Sequence, residues 1–269
     1  MNVTEFKEKI SKLSDDEKEL RDAYLKRLVT GELQGPLVGF PSIDKPWLEY
    51  VDLEKQYENR EHKTIYQEIK DNNVKNINKV ALEFFGTKIK YKKLFEKIDA
   101  FARAFIANGI NEGDFVTICC AGIPETVYAF YALAKIGAAA NFMSPYFDKE
   151  QMTERIKDCN SKLALVMDSF YEPVKEALET SSISKIVILP TLNSSVLKYL
   201  KKGKNHDAEQ VINVDDFLKE GKYIESIVES EYKPQKPLAL VYSSGSTGAS
   251  KAILLSNDSF QNSIHSYEA

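Results

Sequence analysis

The chain alternates between two hydrophobic periods over most of its length, and this alternation constrains the fold more than any other feature. From residue 80 onward, short apolar runs of strand length are followed by segments with apolar residues at helical spacing. The predicted strands are Val80–Phe84, Phe115–Cys120, Leu163–Met167, Ile186–Leu189, Val211–Val214 and Leu238–Tyr242. The predicted helices include Tyr91–Ala107, Pro124–Ile136, Gln151–Lys157 and Val196–Lys201. Repeated strand–helix units predict an α/β fold with a mainly parallel, doubly wound sheet and helices on both faces.

Three parts of the chain differ in pattern, and we expect them to differ in structure. Residues 1–79 are predicted to form two short charged helices and then an extended arm, because prolines interrupt Gly35–Trp47. A capping box at Ser14–Glu17 marks the start of one of these helices. Residues 80–232 form the predicted parallel α/β subdomain. After a polar connector, residues 233–269 are predicted to contain a strand, a polar loop, a second strand and the start of another subdomain.

Composition excludes several classes of function. The chain has 36 Lys and Arg against 40 Asp and Glu, a net charge of −4, which argues against a dedicated nucleic-acid binder. Its three cysteines include no C-x-x-C pair and its three histidines are far apart, so no zinc site, redox motif or histidine triad is predicted. The N-terminus resembles no signal peptide, and Lys135 interrupts the longest apolar stretch, Val127–Met143. We therefore expect a cytoplasmic protein without a membrane span.

The most informative segment is the polar loop Ser243–Lys251. Gly245 and Gly248 permit positive φ, so that consecutive backbone N–H groups can point into one concavity. Lys251 adds a mobile positive charge, and hydroxyl groups come from Ser243, Ser244, Ser246 and Thr247. These groups suit a polyphosphate, although the spacing differs from the G-x-x-x-x-G-K-[ST] loop of other nucleotide-binding proteins. From the residues alone, a polyphosphate site and a hairpin loop without a ligand remain equally open.

The string Tyr242–Lys251 resembles the phosphate-loop signature of the adenylate-forming (AMP-binding) enzymes, Y-T-S-G-[ST]-T-G-x-P-K-G. Two upstream segments agree in order and spacing. Ile89–Leu94 is similar to the family's T-Y-x-E-L helix start, and Ala134–Pro145 is similar to its L-K-A-G-x-x-x-x-P turn. The arm at Pro41–Trp47 is most similar to bacterial acyl-CoA synthetases. The resemblance covers residues 40–269 and implies the N-terminal part of the adenylate-forming enzyme fold.

Four positions depart from the family pattern. Ser250 stands where the family usually has proline, and Ala252 stands where it usually has glycine. Ser256–Asn257 replaces the usual Thr-His. Proline would stiffen the approach to Lys251, and glycine would allow backbone conformations that alanine resists. We expect these changes to affect loop geometry and rate more than the class of ligand.

The resemblance implies ATP-dependent activation of a carboxylate as an acyl-adenylate, followed by transfer to CoA, with Mg²⁺ as the metal. It implies that the β- and γ-phosphates of ATP contact Ser243, Ser244, Gly245, Ser246, Thr247, Gly248 and Lys251. Thr247 and Lys251 are the expected catalytic residues, because their donor and charge can stabilise the leaving pyrophosphate. No residue of this chain is predicted to ligate the metal.

The length leaves two alternatives open. The family's downstream motifs, which include the adenine-binding segment, the Y-G-x-T-E glutamate implicated in Mg²⁺ binding and the C-terminal lysine, do not occur in these 269 residues. We therefore expect an N-terminal portion that is inactive alone. One alternative is a non-catalytic fragment that binds a partner through its charged helices. The other is the adenylation unit of a peptide synthetase, which passes its acyl group to a carrier-protein thiol.

Overall fold

The computed structural model describes residues 14–19, 22, 39, 62–196, 208–243 and 251–266. The chain divides into two compact units, Met1–Arg60 with His265–Ala269, and Glu61–Ile264. In the first unit the predicted capping box is confirmed, since the Ser14 N–H donates to Glu17 Oε2 at 2.7 Å and the Glu17 N–H donates to Ser14 Oγ at 3.3 Å. The elements below belong to the second unit, except for the last two residues of the final helix.

Several predicted features lie outside the described residues. They are the rest of the two N-terminal helices, the Gly35–Trp47 arm except Gly39, residues 197–201 of the predicted helix after Val196, and loop residues 244–250. The boundaries of the three predicted parts, at residues 79/80 and 232/233, stay a prediction.

The predicted parallel sheet is confirmed. Within the described part of the chain, the larger sheet has seven strands, which are β3 Phe115–Cys119, β4 Ala139–Phe142, β5 Leu163–Met167, β6 Lys185–Leu189, β7 Val211–Asn213, β8 Pro237–Tyr242 and β9 Ala252–Ser256. They lie in the order β7-β6-β5-β3-β4-β8-β9. All neighbouring pairs are parallel except β8 and β9. Because β4 and β5 lie on opposite sides of β3, the chain changes direction across the sheet at β3.

The predicted strand Val80–Phe84 is confirmed, but its predicted place in the parallel sheet is wrong. This strand, β1 (Val80–Phe84), pairs antiparallel with β2 (Thr87–Lys90) in a separate two-stranded sheet. The two kinds of strand differ in how much of their surface is exposed. Val80 is 46% exposed and Glu83 is also exposed, whereas Leu163–Met167 is buried throughout. A strand with exposed side chains suits a hairpin rather than the interior of a parallel sheet, where both faces are covered.

Helices cover both faces of the sheet. They are α1 Ile65–Asn73, α2 Tyr91–Ala107, α3 Pro124–Ile136, α4 Lys149–Asp158, α5 Tyr171–Glu179, α6 Val214–Glu220 and α7 Asn257–Ser266. The side chains of β5 alternate between two cores, as the period of a strand requires. Leu163 and Leu165 pack with α2, α3 and α6, and Ala164 and Val166 pack with α4 and α5. None of the helices in the described ranges is long and apolar enough to cross a membrane.

Local chemistry explains where the helices begin and end. Pro124 lies in the first turn of α3, where its missing N–H costs no hydrogen bond. Gly137 ends α3 in the left-handed conformation with φ +78°. The side chain of Asp148 caps α4 by accepting from the Gln151 N–H at 2.7 Å.

Ion pairs connect residues 224–236, the segment that leads to β8, to the rest of the unit. Lys135 of α3 is buried, and its Nζ lies 2.7 Å from Asp99 Oδ1 and 3.5 Å from Glu229 Oε1. Glu112, which precedes β3, accepts at Oε1 from the Nζ atoms of Lys233 at 2.6 Å and Lys236 at 2.8 Å. These contacts hold the approach to β8 against the helices and the start of β3.

We expect the contribution of Glu112 to stability to disappear in acid. Its hydrogen bonds with Lys233 and Lys236 lower the pKa of Glu112 from 4.5 to about 2. A lowered carboxyl pKa stabilises the folded state above pH 4.5, and this contribution is lost as the pH falls towards about 2. In urea unfolding, Glu112→Gln should be less stable than the parent at pH 7, and the two should converge as the pH falls from 5 to about 2. A difference that does not vary with pH would contradict this assignment.

Candidate phosphate-binding loop

The predicted loop connects β8 to β9, and the structure brings its two ends together. Val241 lies opposite Ile253 in the antiparallel pair, and Tyr242 lies opposite Ala252. One step further, the Ser243 N–H donates to the Lys251 carbonyl at 3.0 Å. The Lys251 N–H in turn donates to Ser243 Oγ at 3.0 Å. The other predicted site residues lie outside the described part, namely Ser244, Gly245, Ser246, Thr247 and Gly248.

The loop begins at the carboxyl end of a parallel strand. β8 runs parallel to β4, with Ala140 beside Ala239 and Asn141 beside Leu240. Open α/β sheets bind their ligands outside the carboxyl ends of the parallel strands. The position of the loop therefore agrees with a ligand site.

The side chain of Lys251 lies at the surface. It is exposed, and among the residues that the structure describes its Nζ has no ion-pair or hydrogen-bond partner. An ammonium group without a local partner keeps its charge available for a phosphate oxygen.

A chain of polar contacts begins at Tyr242, the residue that precedes the loop. The hydroxyl of Tyr242, the last residue of β8, donates to Asn141 Oδ1 at 2.9 Å. Asn141 lies in β4 with no exposed surface. Its Nδ2 contacts Thr117 Oγ1 of β3 at 3.3 Å and Cys159 Sγ, just after α4, at 3.2 Å. The chain thus links three adjacent strands and the end of one helix.

The ring of Tyr242 contacts an aromatic ring and a guanidinium group. It meets the ring of Phe147 at 5.5 Å between centroids and an interplanar angle of 87°. The guanidinium carbon of Arg155, in α4, lies 4.1 Å from the centroid of Phe147 and 4.8 Å from that of Tyr242. Burial raises the pKa of Tyr242, so its hydroxyl stays protonated and remains a donor.

The described residues offer no other obvious catalytic group near the loop. Burial raises the pKa of Cys119 to about 12 and also raises the pKa values of Cys120 and Cys159. None of the three is therefore a thiolate nucleophile at neutral pH. In the described ranges, no group of three or more His, Cys, Asp or Glu residues could hold a metal ion. We assign no ligand and no reaction step to Mg²⁺.

The loop is recognisable in the sequence, but the residues that contact Tyr242 are not. Asn141 carried the one available signal, because an amide inside the apolar run Ala138–Phe142 needs a buried partner. Arg155 and Phe147 carried no signal, since their contacts with Tyr242 depend on how α4 packs against the sheet.

Comparison with known proteins decides the family. The sequence profile described as AMP-binding enzyme matches residues 69–269, which include the whole predicted loop. The chain belongs to the AMP-binding enzyme family. This confirms the resemblance seen in the sequence.

Relatives in the AMP-binding family include acetyl-coenzyme A synthetases. Acetyl-coenzyme A synthetase 1 of Pseudomonas aeruginosa is 32% identical over 178 residues, which are 62% of this chain and 26% of that protein. The acetyl-coenzyme A synthetase of Stutzerimonas stutzeri is 29% identical over the same length, with the same coverage. The chain thus spans about a quarter of the length of these relatives.

Solved structures of the same fold include a CoA ligase and a protein with bound ATP. The anthranilate CoA ligase AuaEII, in complex with anthranoyl-AMP, matches 75% of this chain and 36% of its own with a TM-score of 0.61 and 17% identity. ATP-bound MatB from Rhodopseudomonas palustris matches the same shares with a TM-score of 0.59 and 19% identity. At these identities the comparison establishes the fold alone.

Proposed function

We propose that this chain carries the phosphate-binding part of an ATP-dependent acid–thiol ligase. The observation that carries the proposal is the pairing of Ser243 with Lys251 at the carboxyl end of β8, which closes a family-specific loop at the ligand-binding edge of the sheet. The names of the curated relatives, acetyl-coenzyme A synthetases, support CoA as the acyl acceptor.

In the proposed reaction, a carboxylate oxygen attacks the α-phosphorus of ATP and pyrophosphate leaves. The thiol of CoA then attacks the acyl carbon, and AMP leaves. The loop residues Ser243–Gly248 and Lys251 are proposed to contact the β- and γ-phosphates. Thr247 and Lys251 would stabilise the charge that develops on the leaving pyrophosphate, because donors fixed before the reaction need no reorganisation during it.

The proposal is tested most directly by exchange of labelled pyrophosphate into ATP. The assay uses a chimera in which this chain replaces the matched region of the Pseudomonas aeruginosa relative, so that the remaining segments come from a ligase. We expect carboxylate-dependent exchange, and a thioester product when CoA is added. A folded chimera without exchange, beside an active parent enzyme, would favour the non-catalytic alternative. Transfer to a carrier-protein thiol instead of CoA would favour the peptide-synthetase alternative.

We expect the 269-residue chain alone to form no acyl-CoA. It covers 26% of the length of the acetyl-CoA synthetase relative, and the family's adenine, magnesium and acyl motifs are missing from its sequence. Phosphate contacts without these sites leave the reactants unpositioned, and positioning can contribute about 7–11 kcal/mol to lowering the barrier. Chromatography can detect an acyl-CoA product. If the purified chain forms such a thioester, the expectation is wrong.

A further inference from the structure

We propose that Tyr242 is a positioning residue, and that the buried chain Tyr242–Asn141–Thr117, with the Phe147–Arg155 pair, fixes where the phosphate loop leaves the sheet. The inference rests on the proposed function, in which the loop binds phosphate. It assigns a role to side chains that do not themselves contact the substrate.

The hydroxyl of Tyr242 has a partner with a fixed direction. Asn141 has no exposed surface, and a buried amide is costly unless its groups are paired. Its Nδ2 is directed towards Thr117 and Cys159, which leaves Oδ1 directed towards Tyr242. Because Asn141 is part of β4 and Thr117 is part of β3, this hydrogen bond ties the end of β8 to the centre of the sheet.

The ring of Tyr242 is fixed by different elements. Phe147 lies between β4 and α4, and Arg155 lies within α4. A guanidinium over two aromatic faces is an attractive contact, and the perpendicular Phe147 ring limits rotation of the tyrosine. The hydroxyl and the ring are thus held independently.

Ser243 connects the position of Tyr242 to the proposed phosphate-binding loop. Ser243 follows Tyr242 directly, and its backbone N–H and Oγ make both hydrogen bonds to Lys251. If the Tyr242 side chain and backbone could move, the hydrogen-bonded pair Ser243–Lys251 would move with them. The proposed phosphate donors include this pair and the residues between them. Donors stabilise a transition state only when they are already aimed at the developing charge.

A purely structural role makes a different prediction. If Tyr242 only packs the sheet, its loss lowers the stability of the whole sheet equally. If it positions the loop, its loss loosens the Ser243–Lys251 pair while the centre of the sheet is unchanged.

The first measurement needs no activity. Amide hydrogen exchange of the 269-residue chain is followed by NMR in the parent, in Tyr242→Phe and in Tyr171→Phe. Tyr171 is the matched control, because its hydroxyl also has a partner, Glu179 Oε1 at 3.2 Å, but lies on α5.

We expect Tyr242→Phe to speed exchange at the Ser243 and Lys251 amides about fivefold, the equivalent of one ordinary hydrogen bond. The amides of β5 should keep the parent rate, and Tyr171→Phe should leave Ser243 and Lys251 unchanged. Unchanged rates at both loop amides in Tyr242→Phe, or equal acceleration throughout the sheet, would overturn the inference.

The second measurement is pyrophosphate exchange in the chimera. Tyr242→Phe should lower kcat about tenfold with little change in KM for ATP, because the lost interaction acts mainly in the transition state. A parent chimera without exchange would count against the proposed function, and the hydrogen-exchange comparison would still decide the positioning role. An active parent with an unchanged kcat in Tyr242→Phe would overturn the positioning role and leave the proposed function standing.

Discussion

Replacing Lys251 with alanine is expected to lower pyrophosphate exchange in the chimera by about 10²–10³-fold, the usual loss when one preorganised contact to developing charge is removed. Lys251 lies at the end of the loop, exposed and without an ion-pair partner among the described residues. The free energy of unfolding should change by no more than about 0.5 kcal/mol, because an exposed lysine without a partner contributes little to stability. Exchange kinetics beside a urea melt of the same variant measure both effects.

Lys88→Ala provides the matched control for Lys251→Ala. Lys88 is an exposed lysine of the separate β1–β2 sheet. Its removal should leave both exchange and stability near those of the parent. If Lys251→Ala and Lys88→Ala exchange pyrophosphate equally fast, Lys251 is an ordinary surface residue and its proposed role is wrong.

Gly137→Ala is expected to give the largest loss of stability, about 2–5 kcal/mol. Two terms add at this position. The first is the left-handed backbone, at φ +78°, which costs a residue with a Cβ about 1–2 kcal/mol. The second is a steric overlap, because a Cβ would overlap Lys236 Nζ and lie 2.6 Å from Ser230 Oγ, and overpacking commonly costs about 1–3 kcal/mol. Lys236 cannot simply move aside, since its Nζ is held by Glu112 at 2.8 Å and by Ser230 Oγ at 2.9 Å.

Substitutions at two other glycines separate the backbone cost from the steric cost. Gly109 has φ +74° and open space where the alanine methyl group would lie, so Gly109→Ala should show the backbone term alone. Gly122 has open space and no positive φ, so Gly122→Ala should be close to neutral. Urea unfolding of the three variants gives the comparison. A loss in Gly137→Ala no larger than that in Gly109→Ala would mean that the overlap with Lys236 and Ser230 is relieved without cost.

Much of the fold was predictable because the strands of the parallel sheet are buried on both faces. Leu163–Met167 is apolar throughout, and the bounds predicted for β3, β5, β6, β7 and β8 agree with the structure to within one residue. No bounds were predicted for β4. The order of the strands was not predictable in the same way. The position of β8 beside β4 depends on packing between distant parts of the chain, which no local pattern records.

The candidate site was predictable where a local string carries the chemistry, and not where packing does. Ser243 and Lys251 belong to the family signature, and the structure brings them together. Arg155 lies on a polar helix, where its sequence neighbours indicate only a solvated face. Its contact with Tyr242 arises from the docking of α4, and is therefore a property of the tertiary structure.

The place of β8 in the sheet also determines when the site can form during synthesis. The hydrogen bond between Asn141 and Tyr242 spans 101 residues. At about 5–20 residues per second, a ribosome needs roughly 5–20 s to add that length. Throughout that interval β4 has β3 on one side and an open edge on the other, and open strand edges are templates for pairing with other chains. The edge of β4 therefore stays unpaired until β8, which leads into the loop, has been synthesised.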